Sequence, residues 1–264
     1  MENSFKLNLR AILSVFNYRL LIIMVETVLI YMLYEKYSIN IQIDYTIMSI
    51  AIVFPLVFSI TSAYQRRQEA ITNYLEFRNK IIDLTNLFYA VKGITKEHYQ
   101  ELFNALQSIQ TLLIDYLVKN DSEDIFNEIR RNRKDILLII DSHKELFNER
   151  EKDSMIRVKN ELFLCAEKIR GIKIHGTPIS LKKYCLLFIY FAPFLYNSQN
   201  MFSEYDFAIL NKIPLLFSLV VSFVLMALYN VQDYIENPFD QEGLDDLKID
   251  HIKVNDWESL FSKE

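Results

Sequence analysis

Glycine is scarce, with four in 264 residues, while 51 % of the residues are hydrophobic. A chain so short of the residue that serves tight turns, and so rich in apolar side chains, is expected to be mostly helical, with one or two domains by length. Cysteine is scarcer still. Cys165 and Cys185 offer no disulfide framework and read as unpaired thiols in a reducing compartment. The four histidines are scattered without metal-ligand spacing. No glycine-rich phosphate loop, nucleophile elbow or HExxH pattern is present. Basic residues are outnumbered by acids, 29 to 34, for a net charge of -5, which argues against a nucleic-acid partner.

What the chain has is long apolar runs from which charge is nearly absent. Spanning about 30 Å of hydrocarbon takes roughly 20 apolar residues. "LLIIMVETVLIYMLY" (20 to 34) is broken only by Glu26, and "YTIMSIAIVFPLVFSITSA" (45 to 63) has no charge. "YCLLFIYFAPFLYN" (184 to 197) is short and carries Pro193, and "IPLLFSLVVSFVLMALYNV" (213 to 231) is the cleanest span. The first and third gain support from the longer run that closely follows each, as in helical hairpins that insert together.

Basic residues orient these spans. Lys6, Arg10 and Arg19 precede the first, only Lys36 separates the first two and only Lys212 the last two, whereas residues 64 to 183 carry twenty-one of the twenty-nine bases. By the positive-inside rule, both termini and this middle segment are expected to be cytoplasmic, in a multi-pass protein of the cell membrane. Residues 1 to 19 show no cleavable signal pattern.

The middle segment reads as a helical bundle. "RRQEAITNYLEFRNKIIDLTNLFYAV" (66 to 91) spaces apolar residues helically, and Gly93 stops it. The pattern continues through 95 to 120 and 122 to 172, where Thr95 with His98 and Ser122 with Ile125 supply cap residues without a full capping box. The expected organisation is therefore residues 1–63 with the first two spans, a cytoplasmic bundle at 64–183 continuous with the second span, two further spans in 184–231, and a cytoplasmic tail at 232–264.

Three stretches carry a family resemblance. "ENPFDQEGLDDLKID" after the last span resembles the signature that follows the last membrane helix of the bestrophin family. "FSITSAYQRRQEA" resembles that family's Phe-(six residues)-Tyr-x-Arg-x-x-Glu-Ala in its bacterial members, with Arg67 and Gln68 where a tryptophan pair usually stands. "GTPISLKKYCLLFIYFAPF" (176 to 194) is similar to the stretch leading into the family's third helix. The three occur in family order across nearly the whole chain.

The resemblance implies a four-span, all-α channel subunit that assembles as a homopentamer in membrane lipid, its central pore lined by the second membrane helix. Matching Phe58 and Tyr64 to the motif places Ile50, Phe54 and Phe58 at the three positions of a hydrophobic neck. Their i, i+4, i+8 spacing independently puts them on one helix face, although such a stripe on a membrane helix is ordinarily lipid-facing or core packing. Ile179, after Pro178, matches a second apolar ring at the cytoplasmic end; the plainer reading is a Thr-Pro helix start whose Ile packs.

In animal members the tail beyond Asn-Pro-Phe contributes to a calcium clasp, and the matching positions here are Glu242 and Asp245. Tyr234 stands where animal members place Gln, and "DQEGLDD" replaces an unbroken Asp run. The loss of an amide oxygen and of contiguous acids weighs against calcium, so no cofactor is expected. Asn237, Pro238 and Phe239 are then a structural turn, with acids solvated or paired to bundle bases. Glu26, an ionisable residue inside a span, is a functional candidate by default.

Three function classes follow. The first is a passive channel for chloride or other small monovalent anions, with a sodium channel of the same architecture as its rival. The second is a non-conducting scaffold or receptor, and no output module is visible for it. The third, a membrane enzyme, lacks a converging His, Cys or carboxylate cluster inside the spans.

Overall fold

One helix of 45 residues, Tyr45–Tyr89, runs without interruption through the segment that the sequence divides into a span and the start of a bundle. At 1.5 Å per residue it is roughly 67 Å long, about twice the hydrocarbon thickness. In the computed structural model, which describes residues 16–37, 39, 45–119, 122–199, 213–241, 246–249 and 254, it is the second of seven α-helices. These are α1 (Tyr18–Tyr37), α2 (Tyr45–Tyr89), α3 (Lys96–Val118), α4 (Glu123–Ser142), α5 (Glu149–Ile174), α6 (Ile179–Gln199) and α7 (Ile213–Ile235), with a single 3-10 turn at Lys144–Leu146. The described residues contain no strand. The chain forms two units, Met1–Arg66 with Gly176–Glu236 and Arg67–His175 with Asn237–Glu264.

The first unit holds α1, the beginning of α2, α6 and α7. Leu20 and Ile23 of α1, Ile52 and Leu56 of α2, Cys185, Ile189, Ala192 and Leu195 of α6, and Leu225, Met226 and Tyr229 of α7 make its apolar core. Polar groups join the helices inside it. The Thr27 hydroxyl lies 2.7 Å from the Ile23 carbonyl and 3.1 Å from the Ser222 hydroxyl, and the Asn197 amide donates to the Thr27 carbonyl at 3.1 Å. Asn17, which caps α1 through the Leu20 N–H, exchanges amide hydrogen bonds with Asn230 at 2.8 and 3.0 Å. Between apolar helices such bonds replace the hydrophobic drive that lipid does not supply. Two described stretches, within Glu149–Asn197 and at Ile213–Ile235, are long and apolar enough to cross a membrane. In α1 the charges of Arg19, Glu26, Glu35 and Lys36 dilute the apolar run.

The second unit is a bundle. Tyr74, Phe77, Ile81, Leu84 and Phe88 of α2 face Leu102, Leu106, Ile109 and Leu113 of α3, with Ile129, Ile136 and Ile140 of α4 and Leu162, Ala166 and Ile169 of α5 in the same core. Gly93 turns the chain after α2 with φ at +96°, where a side chain would be strained and would meet Leu146 at 3.2 Å.

Two local features differ from the sequence reading. At α3 the capping box is complete, because the His98 ring nitrogen accepts from the Thr95 N–H at 3.5 Å while Thr95 Oγ1 accepts from the His98 N–H at 3.4 Å. An imidazole thus takes the place of the usual Glu or Gln. The 122 to 172 run, in which the apolar pattern is continuous, folds as two helices separated by the 3-10 turn. Asn148 and Glu151 form a second reciprocal box, at 2.8 and 3.0 Å, which starts α5 afresh despite continuous apolar periodicity.

Candidate functional site

The span portion of α2 has two faces. Ile52, Leu56, Ser59 and Ala63 recur at i, i+4, i+7 and i+11 and are buried in their own unit. Ile50, Phe54 and Phe58 project roughly 180° away, by the 3.6-residue period, and are 51 %, 58 % and 61 % exposed. The Phe54 and Phe58 rings touch, their centroids 5.8 Å apart. An apolar stripe of this size, left uncovered by its own chain, marks a surface that meets lipid, another copy or a pore.

Pro55 sits within this stripe. A proline has no N–H to give the carbonyl four residues back, so the Ala51 carbonyl loses its helical donor. The Tyr184 hydroxyl at the start of α6 fills that place, donating to Ala51 O at 3.4 Å. The stripe was legible by spacing; its support by Tyr184 was not, because nothing in the sequence pairs residues 51 and 184.

Near the ends of the same helices lies an ion-pair chain that the sequence reading also missed. Arg19 at the start of α1 donates to Asp233 of α7 at 2.9 Å. Lys182 of α6 reaches both Asp233, at 3.2 Å, and Glu236. Glu236 Oε1 lies 3.5 Å from the Arg66 guanidinium of α2 and accepts the Thr177 backbone N–H at 3.0 Å. A β-carbon at Gly176 would come within 3.0 Å of that same oxygen. Five charged side chains therefore tie the four described helices of the unit together. The available signal was the pair of acids, Asp233 and Glu236, immediately before Asn-Pro-Phe, set against bases at the other helix ends.

No family model and no curated protein matches the sequence. Solved structures do match. A bacterial bestrophin homologue from Klebsiella pneumoniae superimposes with a TM-score of 0.70 at 17 % identity, over 89 % of this chain and 93 % of that one. Two point variants of the Klebsiella pneumoniae homologue each give 0.71 over the same shares, at 15 % and 16 % identity. The chain has the bestrophin fold.

Within the bestrophin fold, Ile179 is the first residue of α6 and is 74 % exposed, so it does not pack inside its own chain. Pro178 directly precedes it and offers its carbonyl to the Leu181 and Lys182 N–H groups. Asn237 Oδ1 accepts from the Phe239 N–H at 3.4 Å, and the Pro238 carbonyl accepts from Leu247 at 2.9 Å. Phe239 is fully buried in the bundle core beside Leu247, Ile249 and Val254. Val254 in turn exchanges hydrogen bonds with the Gln110 amide of α3, at 3.2 and 3.4 Å. Glu242 and Asp245 lie outside the described residues, among which no three His, Cys, Asp or Glu side chains are placed to hold a metal ion. The two thiols are free and buried; burial, with the Glu76 carboxylate alongside, raises the pKa of Cys165.

Proposed function

We propose that this chain is the subunit of a passive ion channel, five copies arranged around an axis lined by α2, conducting chloride and other small monovalent anions. The observation that carries this reading is the charge-free stripe of Ile50, Phe54 and Phe58, which faces away from its own unit in a chain with the bestrophin fold. Five copies would stack three apolar rings about a common axis, and closed cyclic symmetry gives every subunit the same interfaces. Rings of this kind gate by excluding water, and the partly positive edges of the phenylalanines suit a passing anion. Four spans, at 20 to 34, 45 to 63, 184 to 197 and 213 to 231, leave both termini and the bundle in the cytoplasm. Ile179 is assigned to a second ring at the cytoplasmic end. Asn237 to Phe239 are assigned to a structural turn that sends the tail onto the bundle, and no calcium dependence is assigned to Glu242 and Asp245.

The test is the reversal potential of the purified protein in planar bilayers under a salt gradient. A potential that follows the chloride equilibrium value supports the proposal. One that follows sodium replaces the anion by a cation in the same architecture. An assembled protein that passes no current defeats the channel reading and leaves a scaffold or receptor.

A further inference from the structure

The four apolar spans contain one carboxylate, Glu26, and no lysine or arginine. Glu26 lies on α1 seven residues beyond Arg19, roughly 10 Å along the helix from the charged layer. Among the described residues it has neither a hydrogen bond nor an ion pair. It borders a groove of about 440 Å³ whose other walls are Leu187, Phe188, Tyr190, Phe191 and Phe194 of α6. Leu187, Phe191 and Phe194 follow one another at i, i+4 and i+7 on the side of α6 away from its buried face of Cys185, Ile189 and Ala192, and remain open. The Phe191 and Phe194 rings stack with centroids 5.7 Å apart.

A carboxylate at this depth requires neutralisation, by a proton or by a cation. A hard metal ion needs several oxygen ligands, and the groove offers one carboxylate and one phenol. A span from a second copy has no base to offer, since none of the four contains one. What fits a single negative charge flanked by aromatic faces is an organic ammonium, whose charge meets the carboxylate while its methyl or methylene groups lie on the rings. A ligand reaching this depth from lipid must also carry enough apolar mass to partition there.

We infer that the groove between α1 and α6 binds a membrane-partitioned amphiphilic ammonium, held by Glu26 and the aromatic wall of Phe188, Phe191 and Phe194. The inference rests on the membrane location and on the packing of α1 against α6, not on conduction.

The experiment uses the full chain reconstituted in phosphatidylcholine nanodiscs, with radiolabelled dodecyltrimethylammonium as probe and dodecanol as its uncharged counterpart. Partition into lipid gives a linear background; the site gives a saturable component. One saturable probe per subunit is expected, with affinity falling about tenfold in Glu26→Gln and about threefold in Phe191→Leu, and no saturable dodecanol. Absence of a saturable component in the wild type, as when a neighbouring copy fills the groove, overturns the inference. So does equal affinity in Glu26→Gln, or saturable dodecanol binding. If Glu26→Gln does not assemble, Phe191→Leu, which retains the carboxylate, decides: unchanged affinity there overturns it. Because binding is read without current, its failure leaves the channel proposal standing, and the converse also holds.

Discussion

Glu236→Gln isolates what one charge contributes at the helix ends of the first unit. The change keeps the shape of the side chain and an oxygen for the Thr177 N–H, and removes only the charge facing Arg66 and Lys182. All three partners are shielded, with side chains 14 %, 15 % and 20 % exposed. Taking this carboxylate out of a largely desolvated cluster removes the charge that Arg66 and Lys182 share, while Asp233 still faces Lys182, and about 2–4 kcal/mol is expected at this partial burial. Asp233→Asn provides the internal comparison. Asp233 is 38 % exposed, so its bonds to Arg19 and Lys182 are worth about 0.2–1 kcal/mol after screening. At about 2–4 °C per kcal/mol for a chain of this size, Glu236→Gln should lower the unfolding midpoint by about 4–16 °C and Asp233→Asn by no more than about 4 °C. The chain supplies its own reporter. In a Cys165→Ala background, Cys185 is the sole thiol, buried in the core of the same unit, and a thiol-reactive fluorophore lights up when that unit opens. Equal shifts for the two variants, or a shift under about 1 °C for Glu236→Gln, would refute the reasoning.

Under the proposed channel function, replacing Ile50, Phe54 and Phe58 together by alanine should raise current and weaken gating while the proposed pentamer still assembles; in a packed core each such truncation costs about 2–5 kcal/mol, so poor assembly by gel filtration would refute the assignment of the stripe to a pore. Phe239→Ala should cost about 3–5 kcal/mol and expose the tail beyond residue 238 to limited proteolysis; an unchanged digestion pattern would contradict the anchoring role. Lys159 of α5 is buried, and that burial, with the Arg133 guanidinium nearby, holds its ammonium below the usual lysine value. The folded chain therefore binds fewer protons than the unfolded one between that lowered value and about 10.4, so this contribution to stability rises with pH across the window. Lys159→Met is expected to stabilise by about 1 kcal/mol at pH 7, with a smaller gain at pH 9.5; an equal gain at both would count against the shift. Cysteines placed at 38 to 42 or 200 to 208 should be labelled from outside intact cells and those at 110 to 160 protected, the reverse pattern being fatal to the four-span arrangement.

Much of the fold is written in local periodicity. The helical spacing of apolar residues from 66 onward, with no proline or glycine before Gly93, is what keeps α2 unbroken from the span into the bundle. Periodicity is silent about breaks that preserve the apolar phase, so it does not mark the junction at 143 to 148: Asn148 and Glu151 are ordinary polar residues until their mutual hydrogen bonds are seen. At the site, the stripe of Ile50, Phe54 and Phe58 follows from spacing, and the acids after the last span stand out through the Asn-Pro-Phe resemblance. The resemblance points to Glu242 and Asp245, whereas Asp233 and Glu236, on the near side of the turn, are the acids that tie the helix ends of the first unit. Their partners lie 51 to 214 positions away in sequence, beyond any local pattern.

Pro55 gives α2 a mechanical property. With the amide at 55 absent, the ladder has one rung fewer between Ile50 and Phe58, and the outlying hydroxyl of Tyr184 bridges the gap from a different helix. The rod is therefore most compliant within the stripe itself, and its flexure point is braced from outside. A bend of about 10° at that point would swing Ile50, five residues or roughly 7.5 Å away, sideways by about 1.3 Å relative to Phe58. In the proposed ring of copies, so small a flexure would change an aperture by more than the width of one carbon–carbon bond, and it would also shift Ile52 against Leu56 on the buried face of the helix.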